Sequence, residues 1–136
     1  MPVRSIVVVL QPSPLELGQR TPATEHHKRM LRQKFLEFGL AVVESLRQLG
    51  HTADLFDPKT GLPVLSQAGS LPLDDVAVVR STLGYAADQI GQCWTIVHPL
   101  WGSAVYPSIL MSSAETGMVS ALLSNGLLEC HHSFSG

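Results

Sequence analysis

With 136 residues the chain is sized for one domain, and burying roughly 65–70% of its unfolded surface gives a real core, which excludes a miniprotein held together by staples. Hydrophobic residues make up 45% and charged ones 15%, so the composition is not that of a disordered chain. Nine basic against eleven acidic side chains provide no overall field for nucleic acid or anionic lipid. Two cysteines, Cys93 and Cys130, fit a reducing compartment better than a disulfide framework, and no apolar run approaches the roughly 20 residues of a membrane span. The expectation is a single soluble, cytosolic domain over 1–136. Its charge-poor surface fits either a face covered by a partner or a compact monomer rich in exposed Ser and Thr.

Val3 to Leu10 is a β-branched run whose length and composition predict a strand buried on both faces, stopped by Pro12 and Pro14. Gln11 to Ala23 reads as a loop, and with Gly18 as its only glycine it has no phosphate cradle. Thr24 fits an N-cap and Glu25 suits the first turn of a helix. Leu31, Phe35, Phe38, Val42, Leu46 and Leu49 recur every three or four residues, forming one apolar stripe that Gly50 ends in the left-handed region. His26 and His27 point about 100° apart and are read as surface imidazoles, as His51 is read as structural. Thr52 to Phe56 predicts a short strand, and Asp57 to Gly61 (DPKTG) a turn in which Asp57 accepts from amides two residues on. Leu62 to Asp75 is a connection able to cover a surface. From Asp74 or Asp75 to Arg80 a short helix and a strand are equally compatible, and Gly84 marks a break.

The stretch Gly91 to Ala114 holds both Trp, one Cys and a His followed by Pro, and it is where chemistry is best sought. Cys93 to His98 predicts a strand, Pro99 to Gly102 a turn, and Ala104 to Met111 a second strand, paired with the first as an antiparallel hairpin. Pro107 in that second strand points to an edge, a bulge or an unpaired position. Cys93 and His98 are five apart, so on a straight strand they face opposite sides and do not make a nucleophile and base. Ala114 to Leu123 predicts a closing helix packing through Met118, Leu122 and Leu123, and about 125–136 a flexible tail. In that tail Cys130, His131 and His132 are too close together to surround one metal ion.

Four segments carry a resemblance: the helix of Thr24 to Gly50, the following HTADLFDPKTGL, LGYAADQIG at Leu83 to Gly91, and GQCWTIVHPLWG. Together they resemble the C-terminal domain of the methylmalonic aciduria and homocystinuria type D family of intracellular cobalamin-trafficking adaptors, over about Ser5 to Leu123. Its most specific parts are the DPxTG-like turn and the HxLWG segment at His98 to Gly102. The resemblance implies an α+β fold, a mostly antiparallel sheet packed by a long helix, in a nitroreductase-like sandwich without a flavin site. It implies a non-catalytic adaptor that docks on the type C cobalamin-processing protein and directs cobalamin to methionine synthase in the cytosol or to methylmalonyl-CoA mutase in mitochondria. Cobalamin would be met only through that partner complex, with none bound tightly alone. The family's long N-terminal region and mitochondrial leader are not seen in this sequence, which favours the cytosolic role.

In vertebrate members a cysteine directly after the motif glycine can coordinate cobalt. Here Gly91 is followed by Gln92 and then Cys93, so the matching position carries a neutral amide. Either Cys93 takes over through a local bulge, as a soft thiolate suited to cobalt, or docking proceeds without a cobalt–sulfur bond. The resemblance makes Gly91, Trp94, His98, Trp101 and Gly102 the partner-binding residues, with no catalytic residue and no metal site. A rival reading is a small flavin-dependent reductase of the same fold, with Trp94, Trp101 or Tyr106 stacking on the flavin. Against it stands the lack of an Arg or Lys cluster for the flavin phosphate, since the basic residues concentrate on the helix. A third reading is a plain interaction module with no cobalamin link.

Overall fold

The computed structural model describes residues 2–67, 69, 71–90 and 93–124, without the side chains of Ile90 and Cys93. Eight elements follow one another: β1 (Ser5–Pro12), α1 (Pro22–Gln48), β2 (Ala53–Phe56), α2 (Asp75–Leu83), β3 (Ala86–Ile90), β4 (Cys93–Val97), β5 (Val105–Ser112) and α3 (Thr116–Ser124). Every strand pair is antiparallel. One sheet has the order β1-β5-β2 and a second pairs β3 with β4, so the α+β class with a long packing helix is as the sequence implied.

The three-stranded sheet is buried on both faces. Alternation along β1 sends Val9 into a cluster with Phe35, Val42 and Leu46 of α1, while Leu10 enters a second cluster with Val79 of α2, Ile96 of β4 and Val105. The two-sided burial expected of the first strand therefore holds for its second half, whereas Ile6 near its start is 45% exposed. At Gln11 the buried side chain turns polar, and its Nε2 donates to the Leu31 carbonyl of α1 at 3.0 Å. Helices α1 and α3 lie on one side, and α2 with the β3–β4 pair on the other.

Several expectations shift by a turn or a partner. The N-cap of α1 is Thr21 rather than Thr24: the Thr21 hydroxyl accepts from the Thr24 amide (3.1 Å) and the Thr24 hydroxyl accepts from the Thr21 amide (2.9 Å), a reciprocal box with Pro22 opening the helix. Sequence spacing did not separate two threonines three apart. The apolar stripe is buried at Phe35, Phe38, Val42 and Leu46, joined by Val43, but Leu49 is 57% exposed because it lies at the C-cap, beyond the sheet. Gly50 does have the positive φ (91°) expected of it. Asp75 to Leu83 is helical, capped by Asp74, whose carboxylate accepts from the Ala77 amide, and closed by Gly84 at φ 71°. In α3 it is Val119 that is buried, with Leu122 and Leu123 partly so, whereas Met118 faces outward at 42% exposure.

The largest correction concerns the hairpin. Strand β4 pairs with β3, not with β5, and β5 is the middle strand of the other sheet. The residues Ala86–Ile90 were not read as a strand because AADQI lacks the β-branched and aromatic residues that mark one. Pro107 is nonetheless placed as its chemistry demands: β2 pairs only with residues 109–112 of β5, so at Pro107 the strand has β1 alone as a neighbour and no second ladder calls for its missing N–H. The connection after β2 covers a sheet edge as expected. The Val64 amide donates to the Leu55 carbonyl, and the buried Asp54 carboxylate accepts from the amides of Leu65 (3.0 Å) and Ser66 (2.7 Å), blunting the β2 edge.

Gly39 sets how closely α1 seats on the sheet. A Cβ there would come 2.7 Å from Leu55 Cδ1, and Leu55 is fully buried. Gly39→Ala is expected to lose about 1–2 kcal/mol in urea unfolding, overpacking outweighing the roughly 1 kcal/mol gained in helix propensity. Trimming the neighbour, as in Gly39→Ala with Leu55→Val, should recover part of that loss. Phe38→Asp, which puts a charge among the apolar side chains of α1, should leave no cooperative unfolding transition.

Candidate functional site

The segment His98 to Gly102 is a tight reversal built by its own side chains. His98 and Gly102 exchange backbone hydrogen bonds of 2.8 and 2.9 Å, and Gly102 sits at φ 58°, a conformation that favours glycine. His98 Nδ1 accepts from the amides of Leu100 (3.0 Å) and Trp101 (3.2 Å), so in the neutral ring the proton lies on Nε2. The imidazole stacks on Trp101 (centroids 4.2 Å apart) and meets Tyr85 edge-on at 5.4 Å. His98 is buried at 6% exposure. His98, Trp101 and Gly102 thus have a structural role in the turn, and the group the turn leaves outward is Leu100, at 85% exposure. Leu100 lies within the HxLWG segment, but nothing in that motif distinguishes the exposed leucine from its neighbours.

In β4 the side chains split between two roles. Ile96 is fully buried, whereas Trp94 is 53% exposed with the Arg80 guanidinium 6.0 Å from its ring centroid. Ile90 stands opposite Cys93 in the β3–β4 register, and Gly91 and Gln92, between the strands, lie outside the described residues. The Cys130, His131 and His132 cluster also lies outside them. Among the described residues no group of three or more His, Cys, Asp or Glu could hold a metal ion, and no helix is long and apolar enough to cross a membrane.

Trp94 forms part of a cleft of about 490 Å³ between the N-terminal half of α1, the start of α2 and the strand ends at Ile96 and Tyr106. Arg20, Lys28, Arg29, Arg32 and Lys59 all line it. This corrects the expectation that the basic residues form no cluster: side chains from the loop before α1, from α1 itself and from the DPKTG turn line one cleft, with Arg32 reaching Asp57 of that turn. The i, i+4 spacing of Lys28 and Arg32 was the available signal. Trp94 and Tyr106 come together at the cleft, while Trp101 stays with His98.

Polar contacts anchor this region. Arg32 forms a two-pronged pair with Asp57, Nε to Oδ1 at 2.7 Å and Nη2 to Oδ2, which fastens α1 to the turn after β2. The Arg32 hydrogen bond holds the Asp57 carboxyl below its usual range, against the opposing effect of burial, with the Lys59 amide and charge assisting. Asp57 also accepts from the Lys59 amide at 2.9 Å, as the turn chemistry predicted, and Gly61 (φ 72°) leaves no room for a side chain, its Cβ position lying 2.5 Å from the Leu73 carbonyl. Asp75 behaves oppositely. Burial first, then the neighbouring Asp74 charge, push it up to about 7. Burial and the Asp75 charge together raise the Tyr106 phenol above its ordinary range, so it remains protonated at neutral pH.

These features describe an α+β domain of one long helix on antiparallel sheets, with a self-built aromatic turn at the end of its second hairpin strand. The chain belongs to the family described as Methylmalonic aciduria and homocystinuria type D protein, which it matches over residues 3–122. It is 27% identical over 109 residues to the Cobalamin trafficking protein CblD of Homo sapiens, an overlap of 80% of this chain and 37% of the human protein. The protein of the same name from Gallus gallus is 22% identical over 111 residues, covering 82% of this chain and 38% of that protein. The chain therefore spans well under half the length of these relatives.

Asp75 generates a pH prediction. Its raised folded-state pKa means the folded chain holds a proton that the unfolded chain releases between about pH 4 and 7, so ionisation costs stability that is regained as pH falls through that window. Asp57, whose pKa is depressed, loses its contribution only below that window. Asp75→Asn should therefore be more stable than the parent chain by about 1–2 kcal/mol near pH 8, the carboxylate keeping part of its water, and the difference should vanish near pH 4. Thermal melts of both proteins across that range provide the check.

Proposed function

We propose that this chain acts in cobalamin trafficking as a non-catalytic adaptor, docking on a type C cobalamin-processing protein and passing cobalamin toward B12-dependent enzymes such as methionine synthase. The family match over residues 3–122 carries this reading, and the relatives named for cobalamin trafficking support it. The geometry is consistent with docking through the β3–β4 pair. Trp94 and Leu100 offer exposed apolar surface, and the His98 turn, braced by Tyr85, leaves Leu100 outward.

In this reading the Gly91–Cys93 connection of the hairpin meets the cobalt of cobalamin carried by the partner. Cys93 is the soft donor there, since the Gln92 amide is a weak ligand for cobalt. Gly91, Trp94, His98, Trp101 and Gly102 form and flank the contact surface.

The purified chain should bind little free cobalamin yet form a complex with a type C partner loaded with cob(II)alamin under reducing conditions, read by pull-down and by the cobalt absorbance. Absence of that complex overturns the adaptor reading. Cys93→Ser should retain the complex and lose the cobalt spectral change. A spectrum unaltered by the substitution overturns the thiolate role and leaves docking intact.

A further inference from the structure

Five of the nine Lys and Arg of the chain line a single cleft, although the formal net charge is −2. Two of them are occupied: Arg32 by Asp57, and Lys28 by Glu25 at 3.9 Å. Arg20, Arg29 and Lys59 are exposed and make no ion pair among the described residues, although the Lys59 charge also acts on Asp57. They approach the cleft from three separate places, the loop after β1, helix α1 and the turn after β2. Helix or turn formation alone gives no reason for these three cations to line one cleft. An excess of cationic side chains around one hollow favours an anion there.

The rest of the lining narrows the ligand. Two carboxylates, Glu25 and Asp75, line the same cleft, so the anion belongs toward Arg20, Arg29 and Lys59 and away from Asp75. Apolar side chains, including Leu17, Val76, Ile96 and Val105, form the remaining wall, with the half-exposed Trp94 ring and the protonated Tyr106 phenol beside them. About 490 Å³ with mixed lining suits a small molecule. A single carboxylate would leave cations unmatched, whereas a phosphate offers up to two charges and three acceptor oxygens.

We propose that this cleft binds a phosphate-bearing small molecule with an aromatic ring, of the mononucleotide type. Its phosphate lies among Arg20, Arg29 and Lys59, and its ring lies against Trp94 and the apolar wall. The site shares Trp94 with the surface proposed for docking, and the inference does not rest on the adaptor reading, since it invokes neither cobalamin nor a protein partner.

Calorimetric titration of the full chain with AMP, adenosine, inorganic phosphate and a Glu-rich peptide provides the test. AMP should bind saturably and at least about tenfold more tightly than adenosine, the effect of one or two charge-assisted contacts, and more weakly as NaCl rises from about 20 to about 200 mM. The double substitution Arg29→Glu, Lys59→Glu should lower AMP affinity by about tenfold or more, and Trp94→Ala should weaken AMP more than inorganic phosphate. All these side chains are exposed, and an unchanged circular dichroism spectrum and melting temperature would show that the variants fold; the milder Lys59→Ala, with a loss of at least about threefold, serves if the double variant does not. Equal affinity for AMP and adenosine, or undiminished AMP binding by the charge variants, overturns the proposal. So does binding of the acidic peptide without AMP, which would assign the cleft to a protein segment.

Discussion

Strand β5 is the member on which the other elements depend. It is the middle strand of the larger sheet, and its residues alternate between two cores: Leu110 packs toward α1, while Val105 packs toward α2 and β4. A sheet with two apolar faces is stable only when both are covered, because each fully buried aliphatic or aromatic side chain contributes roughly 1.5–3 kcal/mol. The long helix covers one face, and its approach is possible because Gly39 presents no side chain to Leu55. On the other face coverage falls to a short helix and a two-stranded pair. The β3–β4 hairpin is therefore held in place by the same burial that completes the second core.

Polar contacts then fix details that apolar packing leaves loose. The Arg32–Asp57 pair ties the helix to the turn after β2, and Asp54 gathers the amides of the segment that runs along the sheet edge. At the other end of the molecule His98 orders its own turn by accepting two amides while stacking on Trp101. These arrangements use directional bonds at chain reversals, where the backbone leaves helix or sheet and its polar groups need partners. They also determine which side chains remain available. Trp94 is 53% exposed and Leu100 85% exposed, while Ile96 and His98 are buried.

Charge is distributed in the same uneven way. The chain as a whole is nearly neutral, and its composition suggests no anionic partner. Folding gathers the cations of a loop, a helix and a turn around one cleft, next to the strand that leads back to Cys93. The molecule thus carries an exposed Leu100 turn and a cationic hollow on the elements around one hairpin, with Trp94 common to the proposed partner contact and the proposed phosphate site.

Local sequence determined a good part of this. The stripe from Phe35 to Leu46, Gly50 at the helix end, the DPKTG turn and the strand before Pro12 are all encoded over a few residues, because periodicity, φ preference and short-range hydrogen bonds act at that range. The resemblance that placed the chain in its family also rests on such contiguous motifs. The tertiary structure decided which strand pairs with which. AADQI is a weak strand by itself and becomes one only when aligned with Cys93–Val97, while Val105–Ser112 finds better burial between β1 and β2 than beside β4. It also decided that Arg20, Arg29 and Lys59, separated by up to 39 positions, share one cleft. Strand pairing and charge convergence depend on contacts distant in the chain, and no window of local sequence contains the two partners together.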